Sequence, residues 1–304
     1  MSARILLSGT SGLLGTALRQ TMTRREIRFL QLVRSPGGEG TLLWNPGRTP
    51  AFAHPEALEG CRAAIHLSGA NIAGHRWTAS YRRTLLTSRV ESTRALAEAL
   101  THLRYPPEAL LVSSAVGLYG NGGDAELDEG NQVGDGFLAE LCEKWEAAAE
   151  PARKAGIRVV HLRTGVILSP RGGALAKLLP LFRMGLGGPI ASGHQWMSWI
   201  SLHDAVEAIL FLLERRSLRG PVNLTAPEPV TNAAFTRALG KALHRPALLR
   251  VPAFALRLAM GEMANQTLLA SQRVYPNKLT HAGFHFDHPR IDQALAALLG
   301  RTDR

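Results

Sequence analysis

Three glycines stand three residues apart near the start of the chain: Gly9, Gly12 and Gly15, in LLSGTSGLLG, directly behind the apolar run RILLSG. Glycine permits a tight turn, a close approach of ligand to main chain, and close packing of a helix on a strand. Where a strand runs straight into a helix, the helix offers unpaired N–H groups and a positive dipole end, and a pyrophosphate suits both. Here Gly9 would make the turn, Gly12 would admit the phosphate and Gly15 would let the helix pack. The expected chemistry is dinucleotide binding. The spacing is G-x-x-G-x-x-G rather than G-x-G-x-x-G, so the position behind a first strand carries the inference. A tight turn with no ligand is the plain alternative.

A second residue bears on which dinucleotide. The run IRFLQLVRS (27–35) ends at Arg34, where a site for NAD holds an acid against the ribose 2′-hydroxyl. A guanidinium suits a 2′-phosphate by charge and by its two-pronged geometry. NADP is therefore expected over NAD, against the alternative of an ordinary exposed arginine.

These residues need elements to hold them. Behind the first run, Leu14, Leu18 and Met22 have helical spacing. RAAIHLSGA (62–70), ALLVSSAVGLYG (109–120), IRVVHLRTGVILS (157–169) and PVNLTA (221–226) read as further strands. A long helix covers about Thr78 to His102. Another carries Phe137, Leu141, Trp145 and Ala148 on one face and is closed by Gly156. VEAILFLLERR turns Val206, Ile209, Leu210 and Leu213 inward. Near-continuous apolar strands alternating with helices predict an α/β fold: a doubly wound parallel Rossmann sheet with a smaller, mostly helical C-terminal substrate lobe. The expected division is 1–168, with 199–226 returning to it, as the dinucleotide-binding domain. Residues 169–198 and 227–304 would form the lobe.

The chain has 304 residues and a formal net charge of +11, which raises nucleic acid as a partner. The arginines are scattered and no basic stripe interleaves with aromatics, so no nucleic acid is expected. Cys61 and Cys142 form no disulfide framework or ligand pattern, which fits a reducing compartment. No secretory signal is visible, and the apolar stretches are too short to span a bilayer. A cytoplasmic protein without a membrane partner is expected.

The glycine loop resembles that of the short-chain dehydrogenase/reductase superfamily, in its extended or atypical branch. LSGANI (67–72), SSAVGLYG (113–120), FLAELCEKWEAAA (137–149), RTGVILSPRGGAL (163–175), GLGGPIASGHQWMSWISLHD (185–204) and GFHFDHP (283–289) together resemble the NAD-dependent epimerase-like family with a C-terminal domain of unknown function. The resemblance covers essentially the whole chain. It implies a phosphate loop of Gly9, Thr10, Ser11, Gly12, Leu13 and Leu14, with Val33 and Arg34 at the adenosine ribose phosphate. Leu67, Ser68 and Gly69 would pass under adenine and ribose, and Arg89 would reach a phosphate. Ser113 and Ile167 would lie near the nicotinamide. It also implies a homodimer through the helices of Thr78–His102 and Phe137–Lys154.

The superfamily's chemistry uses a Ser, a Tyr and a Lys, the last two being four apart on the helix after the fourth strand. Aligned on Glu146, those two positions hold Leu138 and Cys142, and Ala115 holds the Ser position. Tyr119 is the candidate substitute acid, although in related epimerases that tyrosine is usually structural, near the substrate. Asp124 and Glu129 read as solvated loop carboxylates. His75, Arg76, His194, Trp196 and Trp199 are candidates to line a pocket, with Trp199 and Ile200 reading as core or pocket wall, and Asp204 is a candidate to fix the turn before a helix near Ala205. His281, His285, Asp287 and His288 are not expected to hold metal, because Gly283 and Pro289 interrupt the helix that would align them. Two functions remain open. One is an NADP(H)-dependent oxidoreductase or epimerase of unknown small substrate. The other is a non-catalytic NADP(H)-binding regulatory protein, linked through plant and cyanobacterial relatives to cell or plastid division.

Overall fold

The computed structural model describes residues 4–300. The chain opens as β1 (Arg4–Ser8), α1 (Leu13–Arg24), β2 (Phe29–Val33), β3 (Thr41–Leu43), β4 (Cys61–His66), α2 (Ala79–Thr101) and β5 (Ala109–Ala115). It continues through β6 (Glu126–Leu127), α3 (Phe137–Ala147), α4 (Glu150–Lys154), β7 (Arg158–Thr164), β8 (Val166–Leu168), α5 (Gly173–Arg183), β9 (Trp196–Met197) and β10 (Trp199–Ser201). The remainder is α6 (Leu202–Glu214), β11 (Gly220–Leu224), β12 (Val230–Thr231), α7 (Asn232–Ala242), α8 (Ala253–Met260), α9 (Glu262–Gln266), β13 (Arg273–Val274), α10 (Asn277–His281) and α11 (Ile291–Leu299).

Seven strands form one sheet in the order β11-β7-β5-β4-β1-β2-β3. The pairings β1–β2, β2–β3, β1–β4 and β4–β5 are all parallel. In β1, Ile5, Leu6, Leu7 and Ser8 are all buried, whichever face they point to. Helices therefore cover both faces of this sheet, as the unbroken apolar runs predict. From β1 the chain steps out to β2 and β3, then crosses back to β4 on the other side of β1. That reversal is the topological switch point, where open α/β sheets place a ligand crevice at the carboxyl ends of the strands.

The chain gathers into two compact units. The first holds the residues up to Ser114, with Leu141–Leu162 and Ile209–Pro221. Its core packs Leu6, Leu32, Leu96, Leu110, Trp145 and Val159. Both cysteines lie buried in this unit. The second holds Ala115–Glu140, Arg163–Ala208 and the residues from Val222 onward. Its core joins Leu175 and Phe182 of α5, Trp199, Phe235 of α7 and Leu295 of α11.

One expected helix is two. The face of Phe137, Leu141, Trp145 and Ala148 is broken after Ala147, and α4 begins with Pro151 in its first turn. Proline has no N–H to continue the ladder of α3 but suits the start of a new helix. Gly156, at φ +86°, ends α4, and Ile157 N donates to Ala152 O at 3.1 Å. The glycine is a helix stop, as expected, but of α4 rather than α3.

Candidate functional site

The first unit brings most of the candidate residues to one sheet edge. Ser8 pairs with Leu32 on one side and with His66 on the other. Gly9, Val33, Arg34 and Leu67 therefore leave the sheet together. On β5, Val112 pairs with His66, which sets Ser113 level with Leu67. Each glycine of the loop has its own constraint. Gly9 has φ +71°, and a Cβ there would lie 2.5 Å from the Leu67 carbonyl carbon. A Cβ on Gly15 would lie 2.1 Å from Gly9 O. Gly12 is different: a Cβ there meets only Gly9 O, at 3.5 Å. The protein therefore leaves the space at Gly12 open.

Gly12 is the N-cap of α1, which has no side-chain cap and no acid in its first turn. The first N–H groups of the helix, those of Leu13 and Leu14 among them, are orphan donors at the positive dipole end. Unpaired donors with an unobstructed approach are what a phosphate group requires. Thr10 is tied down through its carbonyl, which accepts from Thr16 Oγ1 at 3.0 Å, and Ser11 is exposed. Arg34 is exposed at the end of β2, and no carboxylate pairs with it among the described residues.

A hydroxyl relay lies beneath the loop, and the sequence reading missed it. Ser92 Oγ donates to Ser88 O at 2.7 Å. It must then accept from His66 Nε2, 3.1 Å away. His66 Nδ1 is thus bare and accepts from Ser8 Oγ at 2.7 Å, and Ser8 in turn accepts from Ser68 at 3.1 Å. Each hydroxyl has one proton, so the direction is fixed from Ser68 to Ser8 to His66, and the ring is the neutral Nε2–H tautomer. Burial holds its pKa down, from 6.5 to about 4. The half-buried Ser68 oxygen, having given its proton away, is an acceptor at the crevice. The one signal in the sequence was a histidine inside the apolar run IHLSG.

Arg89, on α2, donates to Ala70 O at 2.9 Å and Leu85 O at 3.2 Å, and its guanidinium lies 5.1 Å from the Trp145 ring centroid. A Cβ on Gly69 would come within 3.2 Å of its Cζ. The cation therefore braces the loop after β4 from below. It has no carboxylate partner among the described residues, and burial holds its pKa down. Ser114, next to Ser113, donates to Glu146 Oε1 at 2.7 Å.

Ile167 and Tyr119 belong to the second unit. Ile167, on β8, pairs with Ile200 of β10. Tyr119 is 4% exposed. Its hydroxyl donates to Asn223 Oδ1 at 2.8 Å and accepts from Arg163 Nη1 at 3.0 Å. Burial raises its pKa, against the opposing pull of the Arg163 charge. The phenol thus stays protonated, with its proton already engaged.

Two expectations need correction. Glu129 is not solvated: it is buried, and it accepts from Asn223 N at 3.0 Å and from Lys278 N at 3.3 and 3.4 Å. It ties the loop after β6 to β11 and α10, joining the network of Tyr119. Asp204 does not fix the turn before its helix. Helix α6 already starts at Leu202, and Ser201 Oγ accepts from Asp204 N at 3.0 Å. The Asp204 carboxylate instead accepts from Asp287 N and His288 N, both at 3.0 Å, and so holds FDHP. Trp199 is core, one of its two expected places: it is fully buried, with Nε1 donating to Glu228 O at 3.0 Å. Trp196 is half-buried and donates to Asp124 Oδ1 at 2.9 Å, while Arg273 lies 4.6 Å from its ring centroid. His203, Asp204 and Asp287 place ligand atoms within 4.8 Å of one another. Hydrogen bonds within the protein already engage them, His203 Nε2 meeting Asp287 Oδ2 at 2.6 Å.

The fold and its crevice define a Rossmann-type nucleotide-binding protein. The chain belongs to the NAD dependent epimerase/dehydratase family, whose model matches residues 5–224, and a domain of unknown function (DUF1731) matches residues 251–298. It is 45% identical over 295 residues to an epimerase family protein of Mycobacterium bovis, covering 97% of each chain. The crystal structure of human epimerase family protein SDR39U1 (isoform 2) with NADPH superposes with a TM-score of 0.91 at 34% identity, covering 98% of this chain and 99% of that one. A nucleoside-diphosphate sugar epimerase from Corynebacterium glutamicum matches with a TM-score of 0.81 at 33% identity, over 99% of this chain and 59% of its own.

Proposed function

We propose that the chain is an NADP(H)-dependent oxidoreductase or epimerase of a small molecule. The observation that carries this reading is the start of α1, an uncapped helix end with open space at Gly12, set at the switch point of the sheet. The human relative crystallised with NADPH supports the choice of cofactor, and so does Arg34, where an acid would favour NAD. NADP(H) supplies hydride chemistry when bound. The chain's own residues bind and orient it. Gly12, Leu13 and Leu14 take the pyrophosphate, with Thr10 and Ser11 shaping the loop, and Arg34 beside Val33 takes the 2′-phosphate. Ser68, between Leu67 and Gly69, offers an acceptor to a ribose hydroxyl, and Arg89 stiffens that loop. Ser113 is assigned to the nicotinamide end through the family resemblance.

A second reading, a protein that binds NADP(H) without turnover, is favoured by Leu138 and Cys142. Both are buried, and the family resemblance aligns them with the superfamily's Tyr and Lys. Calorimetric titration of nucleotide-free protein with NADPH and NADH tests the shared premise. Tight NADPH and weak NADH binding is expected, and Gly12→Asp should abolish both by putting a carboxylate into the phosphate space. Binding of neither nucleotide by the unmodified protein would remove both readings. A substrate screen on the loaded protein then separates them by hydride transfer.

A further inference from the structure

Ten large apolar side chains are exposed among the described residues, and seven of them lie on one stretch of the second unit. Leu181, Met184 and Leu186 come from the end of α5 and the turn behind it. Leu248 and Leu249 come from the segment before α8, and Phe254 and Leu258 from α8 itself. Exposure reaches 71% at Phe254, 77% at Leu258 and 82% at Leu248. Backbone bonds hold these segments side by side: Leu249 N donates to Gly187 O at 3.1 Å and Val251 N to Pro189 O at 3.0 Å. Arg245 Nε reaches Arg183 O at 3.0 Å. Helix α8 follows at once and buries none of its eight residues. Soluble proteins do not leave this much apolar surface in one place without a use for it.

The charge around these side chains has one sign. Residues 181–193 and 241–261 contain no Asp or Glu. Arg183, Lys241, Arg245, Arg250 and Arg257 are all exposed there, and no carboxylate pairs with any of them among the described residues. A second copy of the chain is a poor occupant, because a two-fold contact would set these arginines against themselves. An anionic lipid surface complements both features. Long cationic stems reach headgroup phosphates while Phe254 and Leu258 enter the acyl boundary.

We propose that this face of the second unit, formed by the end of α5, residues 245–251 and α8, is a peripheral docking surface for anionic membrane lipid. Contact is by lying on the bilayer, since no helix of the described residues is long and apolar enough to cross one.

Vesicle flotation of the intact protein tests this, with equal parts phosphatidylglycerol and phosphatidylcholine against phosphatidylcholine alone. The protein should float with the anionic vesicles and stay behind with the neutral ones. R250Q and R257Q should each weaken binding about fivefold. F254E/L258E should weaken it at least about tenfold at an unchanged melting temperature, since both side chains are exposed. Failure to float with anionic vesicles overturns the proposal. So does flotation of F254E/L258E at the unmodified level, which would mean diffuse attraction by the net charge. A dimer in sedimentation equilibrium that F254E/L258E dissociates would assign the face to a second copy. Binding to polyglutamate in place of vesicles would assign it to an acidic protein, and either result also overturns it.

Discussion

Between pH 6.5 and about 4 the folded and unfolded chains differ by one proton at His66. The unfolded imidazole takes up its proton near 6.5, whereas the buried one resists until about 4. Lowering the pH through this window therefore draws the chain toward the unfolded state, and the stability lost amounts to roughly 3 kcal/mol. Denaturant unfolding at pH 7 and pH 4.5 should show the loss, and His66→Asn should show less of it, because its side chain does not titrate. An equal loss in the variant would place the effect elsewhere. Arg34 makes a separate prediction. Arg34→Asp should weaken NADPH about a hundredfold, the scale of a lost charged contact replaced by repulsion, and NADH far less. Calorimetry reads both, and equal losses would refute the 2′-phosphate role. Gly9, Gly12, Gly15 and Arg34 were legible because their constraint is local: a turn, a helix start, a strand end. The relay at His66 was not, because its partners stand 58, 26 and 60 positions apart along the chain. Strand pairing sets Ser8 beside His66, and the packing of α2 on the sheet brings Ser92 to the ring.

At the scale of elements, α6 is fastened through Asp204, a buried carboxylate bonded to two N–H groups of FDHP. Removing it in Asp204→Ala strands both donors, so the variant should lose about 2–4 kcal/mol. A thermal melt checks this, and a melting temperature within a degree of the parent would show that the fastening contributes little. Periodicity gave the existence of most helices and strands, because one apolar face per element is enough to reveal its period. It overran the end of α3, since the apolar spacing continues through Ala148 while Pro151 forces a new helix. Glu129 was misread for a related reason. A loop position looks solvated until β11 and α10 supply the N–H groups that let a carboxylate be buried.

The whole molecule is woven: each unit draws on three separate stretches of chain. The alternation of strands and helices shows the order of the elements but not which stretches share a core. Arg158 illustrates the consequence within the first unit. Its guanidinium donates to the carbonyls of Leu212, Leu213, Arg215 and Leu218 at 2.8–3.4 Å. A fragment ending at Leu162 would keep Arg158 and lose every one of these acceptors, along with β11. It should give no cooperative transition by circular dichroism, and a sharp melt would show the first two stretches to be self-sufficient.

The two buried thiols belong to that same first unit, Cys61 on β4 and Cys142 on α3, and the sequence contains no others. Burial raises the pKa of Cys61 and so withholds its reactive thiolate. A thiol-modifying reagent added to the native protein can therefore react only when this unit opens. The second unit, which has no sulfhydryl, stays silent to it. The molecule thus carries a built-in clock for the breathing of one unit, readable without adding a probe.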